Sequence, residues 1–339
     1  MQYRYIGKTG LRVTPICMGT MSFGSWSDEK ESFKIMDKAY ERGINFFDTA
    51  ELYPVPPKES YAGDTESIVG RWLKTKQRDS IILASKVAGA SSGWYVPPIR
   101  HGLTAIDKFH IKTAIEGSLK RLQTDYIDLY QMHWPDAVVP IEESLMAFDE
   151  LVREGKVRYI GTSNDSAYGL TKANEISKHL DIARFESIQN NFSLNNPRFL
   201  DELANVCRRE NISLLPYSPI GGGVLSGKYN AKSYPKKARY SEYITSGNSR
   251  LKSQVDRFVS KKALQATAKY IEIAKKLEIS PVTLAVAYSK HFDFVASTII
   301  GARDADQLDE SFAALDITLS DEVMQEIADI QSEIMYPMG

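Results

Sequence analysis

The chain has 339 residues, 43% hydrophobic and 25% charged, the proportions of an ordinary folded protein. Forty-two basic residues against 43 acidic ones leave a formal net charge of -1, so no broad basic field exists to attract nucleic acid. No apolar run is long enough to span a bilayer, and the first residues lack the apolar core of a signal peptide, which together read as a cytoplasmic protein. The two cysteines, Cys17 and Cys207, lie far apart in apolar settings and form neither a metal spacing nor a disulfide framework.

In chain order, residues 3–18 alternate and carry Lys8-Thr9-Gly10, a hairpin turn signal, and are expected to cap one end of the fold. A short strand at 16–19, a helix over 28–42 and a strand at 44–47 follow. Next come a helix over 64–75, a strand at 80–85, a helix capped by Asp107 and ending near Leu122, and a strand at 126–132. A helix over 141–153 stops at Gly155. Then come a strand at 157–161, a helix over 166–179, a strand at 185–189, a helix over 198–210 and a strand at 212–217. From 218 to 257 the chain is polar and irregular, and a loop of that length in a compact domain is functional or disordered. A last strand at 295–300 leads into a helix near Asp304. An amphipathic helix over 320–334 is expected to cover barrel surface.

The strands read as unbroken apolar runs, as strands buried on both faces do. Eight strand–helix units in one rhythm favour an α/β fold closed as a (β/α)8 TIM barrel over an open doubly wound sheet. The barrel would carry an N-terminal β-hairpin, a long loop after its seventh strand and an extra C-terminal helix. No linker rich in Pro, Gly or Ser divides the chain, so one domain over 1–339 is expected.

Three successive strand ends carry chemistry. The second barrel strand ends in Asp48, with Tyr53 on the loop beyond. The third ends in Lys86 and the fourth in His133. Reactive groups of parallel barrels lie at the C-terminal strand ends. A lysine ending so apolar a strand needs a partner, and Asp48 is the nearest candidate. A phenol ionises near pH ~10, and an adjacent ammonium lowers that value, which suits proton transfer to a carbonyl oxygen. Taken singly, each residue also fits a structural role: Asp48 as a cap, Tyr53 as packing, Lys86 as a buried ion pair and His133 as a core imidazole.

The stretch Asp48-Thr49-Ala50-x-x-Tyr53, then Ser85-Lys86, then His133-x-Pro135 resembles the aldo-keto reductase superfamily. Gly161-x-Ser163-Asn164, Gln189-Asn190, Tyr217-Ser218-Pro219, Ser226-Gly227-Lys228 and Gly301-Ala302 follow in order, so the resemblance covers essentially the whole chain. Tyr53-Pro54-Val55-Pro56-Pro57 and the run 119–126 look like its bacterial Tas-like branch.

That resemblance implies NADPH-dependent reduction of small aldehydes or ketones. Tyr53 would be the general acid, Lys86 paired with Asp48 would lower its pKa, and His133 would orient the carbonyl. For the cofactor, Ser163, Asn164 and Gln189 would bond the carboxamide and Tyr217 would stack on the nicotinamide. Ser218, Pro219, Ile220, Gly221, Leu225, Gly227 and Lys228 would form a pyrophosphate strap. Gly301, Arg303, Gln307 and Glu310 would hold the adenosine phosphate, with Ser311 where the family commonly has Asn. Thr20, Met21, Asp48 and Arg239 complete the expected contacts. No metal is expected, and the oligomeric state is not legible.

Two other readings come from the same residues. Lys86 could be a Schiff-base nucleophile in a barrel aldolase, although Asp48 beside it would keep it protonated. The superfamily also includes β subunits of potassium channels, which bind cofactor as redox-sensing partners. Gly222 to Lys228 satisfies the first seven positions of a P-loop, but Tyr229 stands where Ser or Thr should, and no Gly-x-Gly-x-x-Gly follows the first strand. Trp26, Trp94, Tyr95 and Trp134 are candidates for an aromatic pocket, with loops 53–64 and 89–103 at its mouth.

Overall fold

A computed structural model describes residues 2–91, 95–231 and 233–338. Trp94, one of the four pocket candidates, lies outside the described residues.

Strands β1 (Arg4–Tyr5) and β2 (Arg12–Val13) pair antiparallel as the expected hairpin. Thr9 stabilises the turn: its hydroxyl donates to the Ile6 carbonyl at 2.6 Å and accepts from the Leu11 N–H at 3.0 Å. Ile6, Leu11 and Val13 then pack against Cys17, Phe46, Ala84, Leu129, Leu215 and Ala296 of the barrel interior. The hairpin therefore plugs the N-terminal end of the barrel. The Gly7 N–H donating to Ser213 Oγ and the Lys8 N–H donating to Glu186 Oε2, both at 2.9 Å, tie it to the strand starts there.

The barrel strands are β3 (Ile16–Gly19), β4 (Phe46–Asp48), β5 (Ile82–Val87), β6 (Ile127–Met132), β7 (Val157–Ser163), β8 (Phe185–Gln189), β9 (Ser213–Leu214) and β10 (Thr298–Ile300). All pair in parallel, in the order β10-β3-β4-β5-β6-β7-β8-β9. Bridges Leu214–Val295 and Tyr217–Ile299 close the ring, with Ile299 N–H donating to the Pro216 carbonyl at 2.8 Å. The strand expected over 212–217 is cut short because Pro216 has no N–H to give the ladder. The expected 80–85 strand is displaced to Ile82–Val87, since Arg78–Ser80 forms a 3-10 turn; Lys86 thus lies within the strand.

Helices α1 (Glu29–Glu41), α2 (Asp64–Leu73), α3 (Lys108–Leu122), α4 (Ile141–Arg153) and α5 (Ala167–Leu180) follow the expected order. Asp28, Asp107 and Ser166 cap three of them by accepting an N–H of the first turn. The helix expected over 198–210 divides into a 3-10 turn, Arg198–Leu200, and α6 (Leu203–Glu210), separated by the non-helical backbone of Glu202.

The region expected to be irregular holds a 3-10 turn, Gly221–Ser226, then α7 (Arg239–Thr245) and α8 (Ser249–Phe258). Its polar composition conceals a small core of its own, made by Val224, Tyr229, Ala238, Tyr240, Tyr243 and Val255. Two further helices, α9 (Lys261–Lys276) and α10 (Pro281–His291), have no counterpart in the sequence reading. α10 is buried from Val282 to Lys290, so it has no polar face to create a helical period. α11 (Leu308–Ala313) and the C-terminal α12 (Asp321–Glu333), capped by Ser320, complete the chain.

Candidate active site

Strand alternation selects which side chains face the barrel axis. On β4, Phe47 points outward onto Trp72, 4.8 Å between ring centroids, so Phe46 and Asp48 point inward. On β5, Ala84 and Lys86 share the inner face. On β6, Tyr130 packs outward on Phe148, which leaves Leu129, Gln131 and, just past the strand, His133 inside. Lys86 stands in register with Gln131, and Gln131 with Gly161. A Cβ at Gly161 would run into Ser187 and crowd Gln131, so only glycine leaves room for that amide.

Lys86 and Asp48 form a fully buried ion pair, Nζ to Oδ1 2.5 Å. The remaining ammonium protons reach the Thr49 carbonyl at 2.8 Å and Tyr53 Oη at 3.3 Å. Asp48 Oδ2 accepts from Gln189 Nε2 at 2.9 Å and Gln131 Nε2 at 3.2 Å. Every formal charge here has directed partners, the condition under which a buried pair is tolerated. Burial alone would lower the Lys86 pKa, but the charge of Asp48 and the polar Tyr53 outweigh it, and the ammonium is held above the ordinary lysine range.

Tyr53 differs from expectation. Burial pushes its phenol above the usual value, Lys86 pulls it back only in part, and Asp48 adds to the rise. The phenol therefore keeps its proton rather than standing poised to ionise. His133 meets Tyr53 edge to face with ring centroids 5.8 Å apart. Burial first, and then Lys86, hold its imidazole well below the usual histidine range, so it is neutral. Its buried Nδ1 has no partner among the described residues.

A second layer of polar groups surrounds this centre. Asn164, at φ +55°, donates from Nδ2 to the His133 carbonyl at 2.9 Å and to Ser163 Oγ at 3.1 Å. Its Oδ1 accepts from Tyr217 Oη at 2.7 Å, and Ser163 Oγ donates to the Gln189 carbonyl at 2.6 Å. Thr20 donates twice to the Asp48 carbonyl, and the Met21 carbonyl accepts from Val55. Both amide hydrogens of Gln189 are already engaged, with Asp48 and Gln131, so only its oxygen remains for a ligand.

The strap residues run from Ser218, at φ +55°, through buried Pro219, half-buried Ile220, and buried Gly221 and Leu225 to Gly227 and Lys228. At its far end Lys228, Arg239 and Arg303 converge. Arg239 and Arg303 lie over the Trp26 ring, 5.0 and 4.3 Å from its centroid. Lys228 is exposed at its surface, yet desolvation by the surrounding side chains, and then repulsion from Arg239 and Arg303, hold it below the ordinary lysine range. Gln307 is bonded locally: its oxygen accepts from Arg303 N–H at 3.1 Å and its nitrogen donates to Asp304 at 2.5 Å. Gly301 and Glu310 are exposed, and Ser311 is buried.

The sequence profile described as the Aldo/keto reductase family matches residues 15–332. The chain belongs to the aldo/keto reductase family. It is 37% identical to the protein tas of Escherichia coli K12, covering 99% of both chains. It is 35% identical to the uncharacterized oxidoreductase YrpG of Bacillus subtilis, over 97% of this chain and 96% of that one. It is 30% identical to norsolorinic acid reductase A of Aspergillus parasiticus, over 97% of this chain and 81% of the other. Members of the family are oxidoreductases that generally use NAD(P)H and act on small carbonyl compounds.

Around the mouth of this aldo/keto reductase, Tyr53, His133, Trp134 and Tyr95 form a continuous aromatic wall. Trp134 lies 5.0 Å from His133 and 5.7 Å from Tyr95, and its indole N–H donates to the Ala90 carbonyl at 2.9 Å. Burial pushes the Tyr95 phenol up to about 12, against the opposing pull of Arg250, whose guanidinium covers its ring at 3.7 Å. Trp26 does not belong to this wall; it is the platform under Arg239 and Arg303.

Sequence reasoning missed two features. Gln131 is a polar residue in an apolar strand, two positions before His133, and that spacing alone puts it on the inner face. Glu51 is the other. It is buried, accepts both terminal nitrogens of Arg100 at 2.6 and 2.9 Å, and accepts the Ala88 N–H at 2.7 Å. It thereby joins the Asp48–Tyr53 segment to the end of β5 and to the loop before α3.

Proposed function

We propose that this enzyme reduces aldehyde or ketone carbonyls with NADPH, and that Tyr53 donates the proton. The observation that carries the reading is the buried chain Asp48–Lys86–Tyr53, whose phenol faces a neutral His133. The proton sits on Tyr53 Oη because burial holds it there. As negative charge grows on a carbonyl oxygen, the phenol gives up that proton, and the cation of Lys86 stabilises the phenolate left behind. Asp48, fixed by Gln131 and Gln189, keeps Lys86 cationic and in place. His133 offers a neutral imidazole beside the phenol, so a carbonyl oxygen meets two uncharged donors. A Schiff base at Lys86 is disfavoured, because that amine would have to lose a proton its surroundings retain.

The residues present suit a nicotinamide dinucleotide. Ser163, Asn164, the Gln189 oxygen and Tyr217 would hold its nicotinamide end, and the strap from Ser218 to Lys228 its pyrophosphate. The corner of Lys228, Arg239 and Arg303 has three cations, and Glu242 is the only acid ion-paired to any of them among the described residues. That imbalance supports a phosphorylated adenosine there. Gln307, Glu310 and Ser311 lie at the adenine side. When bound, the cofactor supplies the hydride.

The test is NADPH oxidation, followed by absorbance, across a panel of aldehydes and ketones, with Tyr53→Phe in parallel. Turnover by the parent and its loss in the variant is the expected result. A parent protein that binds NADPH but reduces nothing in the panel would favour a binding role instead.

A further inference from the structure

Arg303 is already occupied. Its two terminal nitrogens meet the two oxygens of Glu242, at 2.8 and 3.2 Å, and Nη1 also donates to the Lys237 carbonyl at 2.5 Å. This is the two-pronged edge with which an arginine grips a phosphate. Glu242 belongs to α7, in the segment that follows the strap, whereas Arg303 follows β10, on the barrel. The other two cations of the corner differ: among the described residues, neither Lys228 nor Arg239 takes part in an ion pair. Three cations and one carboxylate leave a net charge of about +2, which matches a phosphate monoester of roughly -2.

We propose that Glu242 is an internal counter-ion that stands in for phosphate on Arg303 and thereby reduces the preference of the enzyme for NADPH over NADH. The proposal rests on the cofactor site proposed above. A 2′-phosphate arriving at this corner meets the carboxylate as a like charge and must displace it from the guanidinium. A cofactor with a plain 2′-hydroxyl leaves the Arg303–Glu242 pair intact. Discrimination is a difference between two affinities, and Glu242 acts on only one of them. That segment does not depend on this pair alone, since Tyr243, one residue along α7, packs on Trp26 with ring centroids 6.0 Å apart. Glu242 is also partly exposed, its side chain 38% accessible, so it has room to swing aside.

The test is fluorescence titration of NADPH and NADH into the parent protein and Glu242→Gln, which keeps the shape and removes the charge. Dissociation of NADPH should tighten by about 10-fold and that of NADH change less than about two-fold. In an Arg303→Ala background the same substitution should tighten NADPH less than in the parent, because the carboxylate then has no guanidinium to occupy and only its like-charge repulsion is relieved. NADPH binding that weakens in Glu242→Gln, or an equal change for both cofactors, overturns the proposal: Glu242 would then position Arg303 or fasten α7. Failure of the underlying site looks different. There, Arg239→Ala and Arg303→Ala would leave the ratio of NADPH to NADH affinity at its parental value, whatever Glu242→Gln does.

Discussion

Lys86 Nζ and Asp48 Oδ1 are 2.5 Å apart, and both side chains are closed to solvent. Neither could be there alone. An unpaired charge at that depth would neutralise or unfold its surroundings. The pair is itself held from outside by Gln131, Gln189 and the Thr49 carbonyl, so the position of the ammonium beside Tyr53 is over-determined.

Removing one partner should therefore be costly. Asp48→Asn leaves Lys86 cationic without a counter-charge, or neutral with its proton lost, and should lower stability by about 3–5 kcal/mol. Urea unfolding checks this. An effect under about 1 kcal/mol would mean that water or another acid replaces the carboxylate.

Tyr53→Phe separates chemistry from binding. The ring and its packing stay, while only the hydroxyl goes. Turnover should fall about 10²- to 10⁴-fold, the usual worth of a positioned acid, with NADPH affinity nearly unchanged. Near-parental reduction of aldehydes by this variant would remove Tyr53 from the mechanism.

The pH dependence follows from two directions. Tyr53 is held above its ordinary value of 10.0, so the protonated acid persists throughout the neutral range, and reduction should decline only at alkaline pH. Lys86 is also raised when folded. Its stabilising contribution is complete below the ordinary value of 10.5 and disappears as pH rises through the higher folded value. His133 acts in the opposite range: its folded value is lowered, so stability is lost as pH falls below 6.5, where the unfolded imidazole takes up a proton. Thermal melts and initial rates from pH 5 to 11 (on the order of one unit per step) distinguish these limbs. A rate that rises with pH through neutrality would contradict the assignment of a protonated phenol.

Glu51→Gln tests the tether to the mouth loop. Arg100 and the Ala88 N–H both rely on this carboxylate, and the lost charge leaves the guanidinium half-buried and unpaired. A loss of about 2–4 kcal/mol is expected. KM for carbonyl substrates should rise more than kcat falls, while NADPH affinity holds. A fall in kcat alone would place the effect on Tyr53 instead.

Strand ends were the most legible part of the chain. Asp48, Lys86 and His133 each follow an apolar run too short for a helix, and a charge after such a run draws notice. Gln131 was hidden inside its run, because an uncharged amide barely interrupts the pattern. The whole of α10 was hidden for a related reason: a helix buried on all sides has no period. The strap and the segment after it were obscured by composition. Their tyrosines form a satellite core only after folding back on Val224 and Val255, and a pairing such as Arg303 with Glu242 spans 61 residues that local patterns cannot relate. The net direction of the Tyr53 shift was equally out of reach, since it depends on how completely the phenol is buried.

The N-terminal hairpin has a kinetic consequence. Ile6, Leu11 and Val13 close the lower end of the barrel with apolar side chains, so the mouth is the side from which water reaches Tyr53 and Lys86. A substrate in that mouth corks the vessel. On the proposed chemistry, the phenolate left by proton transfer rests beside the Lys86 ammonium, and net uptake of a proton from water follows once the alcohol has departed. Product exit and proton uptake thus share one doorway, and a slow-leaving alcohol would delay both.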